Sequence, residues 1–105
     1  MQLKFRKKPL VVEAFQMTKE RRKDNSEWPN WLHRAWNGNL GEIGTLQIAR
    51  LGGICNRLDE LDIVTLEGLV HVSWGDWIIQ GSKGELYPCK PDIFSETYDA
   101  VESLP

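Results

Sequence analysis

The sequence predicts a single α+β domain over residues 1–105: a mainly antiparallel, strongly bent sheet of about five or six strands, one tryptophan-rich helix and a short C-terminal helix. A partly closed barrel is one form such a sheet can take. Three observations carry the prediction. From Thr45 onward, short runs of β-branched and aromatic residues alternate with glycine-bearing turns, the signature of strands joined by hairpins. Trp28, Trp31, Leu32, Ala35 and Trp36 recur at three- and four-residue spacing, the signature of a helix with one apolar stripe. Val70 to Tyr98 reads as three successive strands closed by one turn of amphipathic helix, and the rest of the chain reads as packing for that unit.

In chain order, Leu10 to Met17 is rich in β-branched and aromatic residues and reads as a strand, with Pro9 admissible only at its start or at an edge. Thr18 to Asn25 is polar, has no periodicity and reads as a mobile loop. Ser26 is the expected N-cap of the tryptophan-rich helix, Pro29 fits its first turn, and Asn37-Gly38 is its expected C-cap. Asn39 to Gly44 is turn material. Thr45 to Leu51 reads as a strand with Leu46, Ile48 and Ala49 partly buried, ended by Gly52-Gly53. Ile54 to Asp62 is open between a strand at Ile54 to Arg57 and a helical turn at Leu58 to Leu61. Ile63 to Leu66 and Leu69 to Ser73 read as a hairpin about Glu67-Gly68. Gly75-Asp76 then separates Val70 to Ser73 from Trp77-Ile78-Ile79, and Gly81 to Gly84 supplies the tight hairpin into Glu85-Leu86-Tyr87. Pro88 limits that last strand to an edge or an early end, and Pro91 suits a first helical turn. Ile93, Phe94, Thr97 and Tyr98 fall on one face of the helix that follows.

A chain of 105 residues buries enough surface to fold without staples, and 41% hydrophobic with 27% charged residues is ordinary for a globular domain. No apolar run approaches a membrane span and no signal-peptide pattern occurs, which points to a cytoplasmic protein with no membrane partner. Cys55 and Cys89 are accordingly expected as free thiols. The net charge of −2 hides an asymmetry: Lys4, Arg6, Lys7, Lys8, Lys19, Arg21, Arg22 and Lys23 face only Glu13 and Glu20 in residues 1–23, so this end carries +6 and the remainder −8. Lysines guarding a sheet edge account for such a segment. The alternative is a nucleic-acid contact through Lys4, Arg6, Lys7, Lys8, Arg21, Arg22 and Lys23, with affinity falling steeply as salt is added.

Two stretches carry a resemblance. KFRKKPLVVEAFQ (Lys4 to Gln16) and GDWIIQGSKGELYPCKPDIFSETY (Gly75 to Tyr98) resemble a group of small bacteriophage and prophage proteins that begin with a KFRKKP-like segment and end in a GDW, GE-x-Y-x-C and D-x-F-x-x-TY pattern. The C-terminal part is similar to the PGDYG type of motif, with Ser73-Trp74-Gly75-Asp76-Trp77 standing where that motif has Pro-Gly-Asp-Tyr-Gly. The match covers about the first 17 and the last 30 residues and hardly touches the middle. It implies a phage accessory protein and brings with it no activity and no site.

The residues themselves supply no catalytic constellation. His33, Cys55, His71 and Cys89 are the only soft ligands, in no spacing that pre-arranges a metal, and neither a P-loop nor a G-x-G-x-x-G fingerprint occurs; no metal or cofactor is expected. A nucleophilic set of Cys89, His71 and Asp76 can be drawn on the predicted meander. Each member has a simpler role: a small apolar residue in a core, the solvent-facing neighbour of two valines, and a turn former. A small hydrolase or nucleotide-handling enzyme is therefore the third reading, and a non-enzymatic module that binds a host or phage protein is the first. Trp74, Glu85, Tyr87 and Lys90 are its expected contact residues: Trp77 reads as core, whereas an exposed Trp74 indole beside Tyr87 and Lys90 would make a binding patch. The tryptophans of the helix read as its core-facing side, with a stacking platform as the sharper alternative.

Overall fold

A computed structural model describes residues 3–5, 10–51, 54–55 and 60–101. It is an α+β fold of two three-stranded antiparallel sheets, three short α-helices and a small hairpin. In order, the chain runs β1 (Glu13–Gln16), α1 (Lys19–Lys23), a 3-10 turn (Asn25–Glu27), α2 (Asn30–Trp36), β2 (Leu46–Ile48), β3 (Arg50–Leu51), β4 (Ile54–Cys55), β5 (Leu61–Thr65), β6 (Gly68–Val72), β7 (Trp77–Gln80), β8 (Leu86–Cys89) and α3 (Pro91–Thr97). One sheet has the order β1-β7-β8, the other β2-β5-β6, and β3 pairs with β4 alone. The two sheets bend about one another without closing into a barrel among the described residues.

The main core lies where α2 and the two sheets meet. Leu32, Ile63 and Ile78 are fully buried there, one from α2 and one from each sheet, joined by Met17, Trp28, Trp31, Ala35, Leu46, Leu61, Val72 and Leu86. The tryptophan stripe of α2 therefore faces inward, as its spacing predicts. Trp36 is half-buried against the same cluster.

The helix starts differently from expectation. Ser26 is not its N-cap: Asp24 caps the 3-10 turn, its carboxylate accepting from the Ser26 amide at 3.0 Å, and Pro29 stands at the N-cap of α2 with no side-chain cap bond. Thr18 to Asn25, expected as a mobile loop, is instead helical. Thr18 accepts from the Arg21 amide at 3.2 Å, the Trp28 indole donates to the Arg21 carbonyl at 2.7 Å, and Arg21 itself donates to the Gln16 carbonyl at 2.9 Å. Polar side chains closed onto backbone groups replace the apolar face that this segment lacks.

The stretch from Val70 to Tyr98 is also not one meander. β6 pairs with β5 through Leu61↔Val72 to Thr65↔Gly68, whereas β7 pairs with β1 and β8. The Ser73–Asp76 corner, with Gly75 at φ 93°, carries the chain from one sheet to the other instead of reversing it. The Gly81–Gly84 hairpin forms as expected: Gly81 donates to the Glu85 carbonyl at 2.8 Å and Gly84 adopts φ 85°. β8 is an edge strand, which accommodates Pro88, and Pro91 opens α3. The first strand is shorter than the run from Leu10 suggests, the β5–β6 turn falls at Leu66-Glu67, and Ile54 is in a strand, while the helical alternative for Leu58 and its neighbours lies largely outside the described residues.

Candidate binding face

Strand alternation divides the β1-β7-β8 sheet into two faces. Phe15 and Ile78, paired in register, point into or against the main core. Ala14, Trp77, Tyr87 and Cys89 therefore belong to the opposite, outer face, and α3 lies on it: the Phe94 ring stacks on Trp77 at 4.2 Å between centroids and 5° between planes, and Tyr98 follows at 5.0 Å from Phe94. Trp77 is thus half-buried under α3 and not a member of the main core. Pro91 sets the start of α3 immediately after β8, so the helix covers only part of the sheet, and Ile93 on its flank stays exposed.

Beyond the end of α3 the outer face is open among the described residues. An apolar groove of about 530 Å³ runs there, with Ala14, Trp77 and Phe94 as its floor, Leu10 to Val12 as one wall and Tyr98 to Val101 as the other. Asp99 is the one ionisable carboxylate among the lining residues. Val11 and Val101 on the two walls are 76% and 69% exposed. Large exposed apolar side chains gathered about a concave surface mark an interaction site more often than do the same residues scattered singly.

None of the four residues expected to form a partner patch lines the groove, and they take different roles. Lys90 reaches back to the interior: its Nζ lies 3.1 Å from Oδ2 of Asp76, a residue only 2% exposed, and 3.4 Å from the Ser73 hydroxyl. The same carboxylate accepts from the Ser73 amide at 2.9 Å. Lys90 thereby pins the end of β8 to the corner between the sheets. Trp74 is half-buried against the main core, with its indole N–H enclosed and without a partner among the described residues, so it is not the exposed rim expected. Glu85 folds over its own turn and accepts from the Lys83 amide at 3.1 Å. Tyr87 is half-buried; burial pushes its phenol up to about 12, with the neighbouring Tyr98 hydroxyl, to which it is hydrogen-bonded, and the charges of Glu85 and Cys89 adding to the shift.

The nucleophilic set is not assembled. His71 is exposed on β6 and both its ring nitrogens face carboxylates, Nδ1 at 3.0 Å from Asp62 and Nε2 at 3.4 Å from Glu60. Among the described residues Cys89 bonds only to the adjoining Lys90 carbonyl at 3.7 Å, and burial, then the charges of Asp76 and Asp92, raise its thiol above the ordinary value. A thiol held protonated is a poor nucleophile. No cluster of three or more metal-ligating side chains occurs among the described residues.

The chain was compared with protein-family models, curated proteins and solved structures, and none of them matches.

The cationic segment divides. Lys4 is exposed, and Arg6, Lys7 and Lys8 lie outside the described residues. Arg21 sits over the Phe15 ring at 4.8 Å and Arg22 over Trp36 at 4.7 Å, both half-buried, while Lys23 is exposed. Two of the four cations in α1 thus pack against the aromatic layer below them. No helix among the described residues is long and apolar enough to cross a membrane.

The groove was missed from sequence, and a signal for it exists. Leu10-Val11-Val12 is a continuous apolar run in front of a strand only four residues long, which leaves side chains on both faces with one face already filled.

Proposed function

We propose that the chain is a non-enzymatic binding module of a bacteriophage or prophage, acting in the cytoplasm of the bacterial host and taking up an extended, apolar segment of a host or phage protein in the groove on the outer face of the β1-β7-β8 sheet. The observation that supports this is the aromatic floor: Trp77 and Phe94 are stacked, rigid and roofed only in part, with apolar walls on both sides. Such surfaces supply large contact area at small entropic cost, because flat side chains already fixed by packing lose little on binding. β1 is the edge of its sheet, and an edge beside an apolar groove suits a peptide in the extended conformation, held by backbone hydrogen bonds along the strand and by alternate side chains in the groove.

The test is selection of binders from a random peptide library displayed on phage, against the wild-type chain and against Val101→Lys. Val101 is exposed, so the change leaves the core intact while placing a charge on the groove wall. Enrichment of peptides with alternating apolar residues, lost in Val101→Lys, is the expected result. Equal enrichment on both proteins, or none on either, would remove the groove as a binding surface.

A further inference from the structure

The chain carries, at its own N-terminus, a segment with the chemistry the groove asks for, and we propose that the groove is filled by the Leu3–Phe5 segment of a second copy of this chain, exchanged reciprocally about a two-fold axis. This rests on the groove being a docking surface, as argued above, and names its occupant. Leu3 and Phe5 are 79% and 91% exposed, so neither fills the groove of its own chain, and an aromatic side chain is left in solvent at considerable hydrophobic cost. In an extended segment the two point to the same side, with Lys4 on the other. That alternation matches a groove with an apolar lining that carries one carboxylate, Asp99.

Charge complementarity selects this occupant over an apolar peptide in general. Before Glu13 the chain has only positive side chains, at Lys4, Arg6, Lys7 and Lys8; after Lys90 it has only negative ones, at Asp92, Glu96, Asp99 and Glu102. Asp99 lines the groove, and Asp92 and Glu96 are exposed on the helix beside it. A cationic segment entering the groove therefore meets the carboxylate of Asp99 in its lining and those of Asp92 and Glu96 beside it. Reach supports a two-fold arrangement. Leu10 is already on the groove wall, and the chain from Phe5 to Leu10 spans at most about 17 Å, so Phe5 can enter a partner's groove only when the two grooves lie near one another. Two copies facing groove to groove satisfy both exchanges at once, and each insertion raises the effective concentration for the other.

The test is sedimentation of the full chain over a wide micromolar range at low and high salt, with Phe5→Glu and Val101→Lys alone and mixed. The wild-type chain is expected to be a dimer whose dissociation constant rises several-fold with salt. Each variant alone should be monomeric, with the dissociation constant raised by about tenfold or more, since each loses both exchanges. Their equimolar mixture should form a 1:1 heterodimer, weaker than the wild-type dimer, because one exchange is restored: the intact Phe5 of Val101→Lys meets the intact groove of Phe5→Glu. A wild-type chain that stays monomeric throughout, or a dimer indifferent to both substitutions, would overturn the proposal. The two readings separate cleanly: a monomeric chain whose groove still binds selected peptides loses only the homotypic occupant, whereas loss of peptide binding as well removes the groove itself.

Discussion

Two aromatic clusters of similar composition have opposite fates in this molecule. Trp28 and Trp31, beside Leu32 and Ala35, are closed in by both sheets and by Met17. Trp77, Phe94 and Tyr98 are stacked just as closely but are roofed on one side only. The difference comes from what each helix lies against. α2 is placed where the two sheets converge, so its stripe is buried, whereas α3 lies on the outer face of one sheet with no further element over it among the described residues. Aromatic residues at helical spacing therefore report that a helix packs, and the architecture around the helix decides whether the packing is complete.

The sharpest way to break this contrast is to truncate each cluster. Leu32→Ala, in the closed cluster, is expected to cost about 3 to 4 kcal/mol, because the removed atoms leave a cavity in a site walled on all sides. Phe94→Ala, in the open cluster, should cost only about 1 to 2 kcal/mol, since the ring already keeps part of its surface in water. Chemical denaturation of both variants checks the pair, and equal losses would mean that the outer cluster is core as well.

An effect between these two is expected at the corner joining the two regions. Asp76→Ala removes the buried carboxylate shared by the Ser73 amide and Lys90, at about 2 to 3 kcal/mol. Lys90→Ala should cost less, because the ammonium is more than half exposed while the carboxylate keeps its bond from Ser73.

Titration sharpens the comparison further. The Tyr87 phenol ionises near 12 in the folded chain against 10 for an ordinary tyrosine, so the folded state holds its proton longer than the unfolded one. That contribution is fully present below pH 10 and is lost as pH rises through about 12. Ultraviolet titration should show a phenol ionising near 12 that is absent in Tyr87→Phe, and the variant should lose less stability across that window. The least effect on folding is expected from Val101→Lys, within about 0.5 kcal/mol of wild type, with the loss of peptide selection as its expected readout.

How far the sequence could be read follows from which forces are local. The α2 stripe is legible because a three- and four-residue repeat of large apolar side chains has one packing solution. The Gly81–Gly84 hairpin and the Pro91 helix start are legible because backbone chemistry at those positions is restrictive. α1 is not, since the bonds that hold it, from Thr18, Trp28 and Arg21 to backbone groups, leave no periodic trace. The passage from β6 to β7 is not, because Ser73 to Asp76 has the composition of a hairpin turn whichever sheet receives the next strand. Trp77 misleads for a related reason. In the run Trp77-Ile78-Ile79 every position is apolar, so alternation cannot say that Ile78 faces the main core while Trp77 faces out beneath α3. The groove exists only once that choice has been made.

The most direct measurement of the contrast between the closed and the open cluster is an NMR map of indole and methyl signals, recorded on dilution of the chain and then on titration with a peptide that wins the selection. The account predicts the largest shifts at the Trp77 indole and at the methyls of Ala14, Val11 and Val101, with the Trp28 and Trp31 indoles unchanged. Shifts centred on the β5–β6 turn at Leu66 and Leu69, or on Lys23, with Trp77 silent, would contradict it.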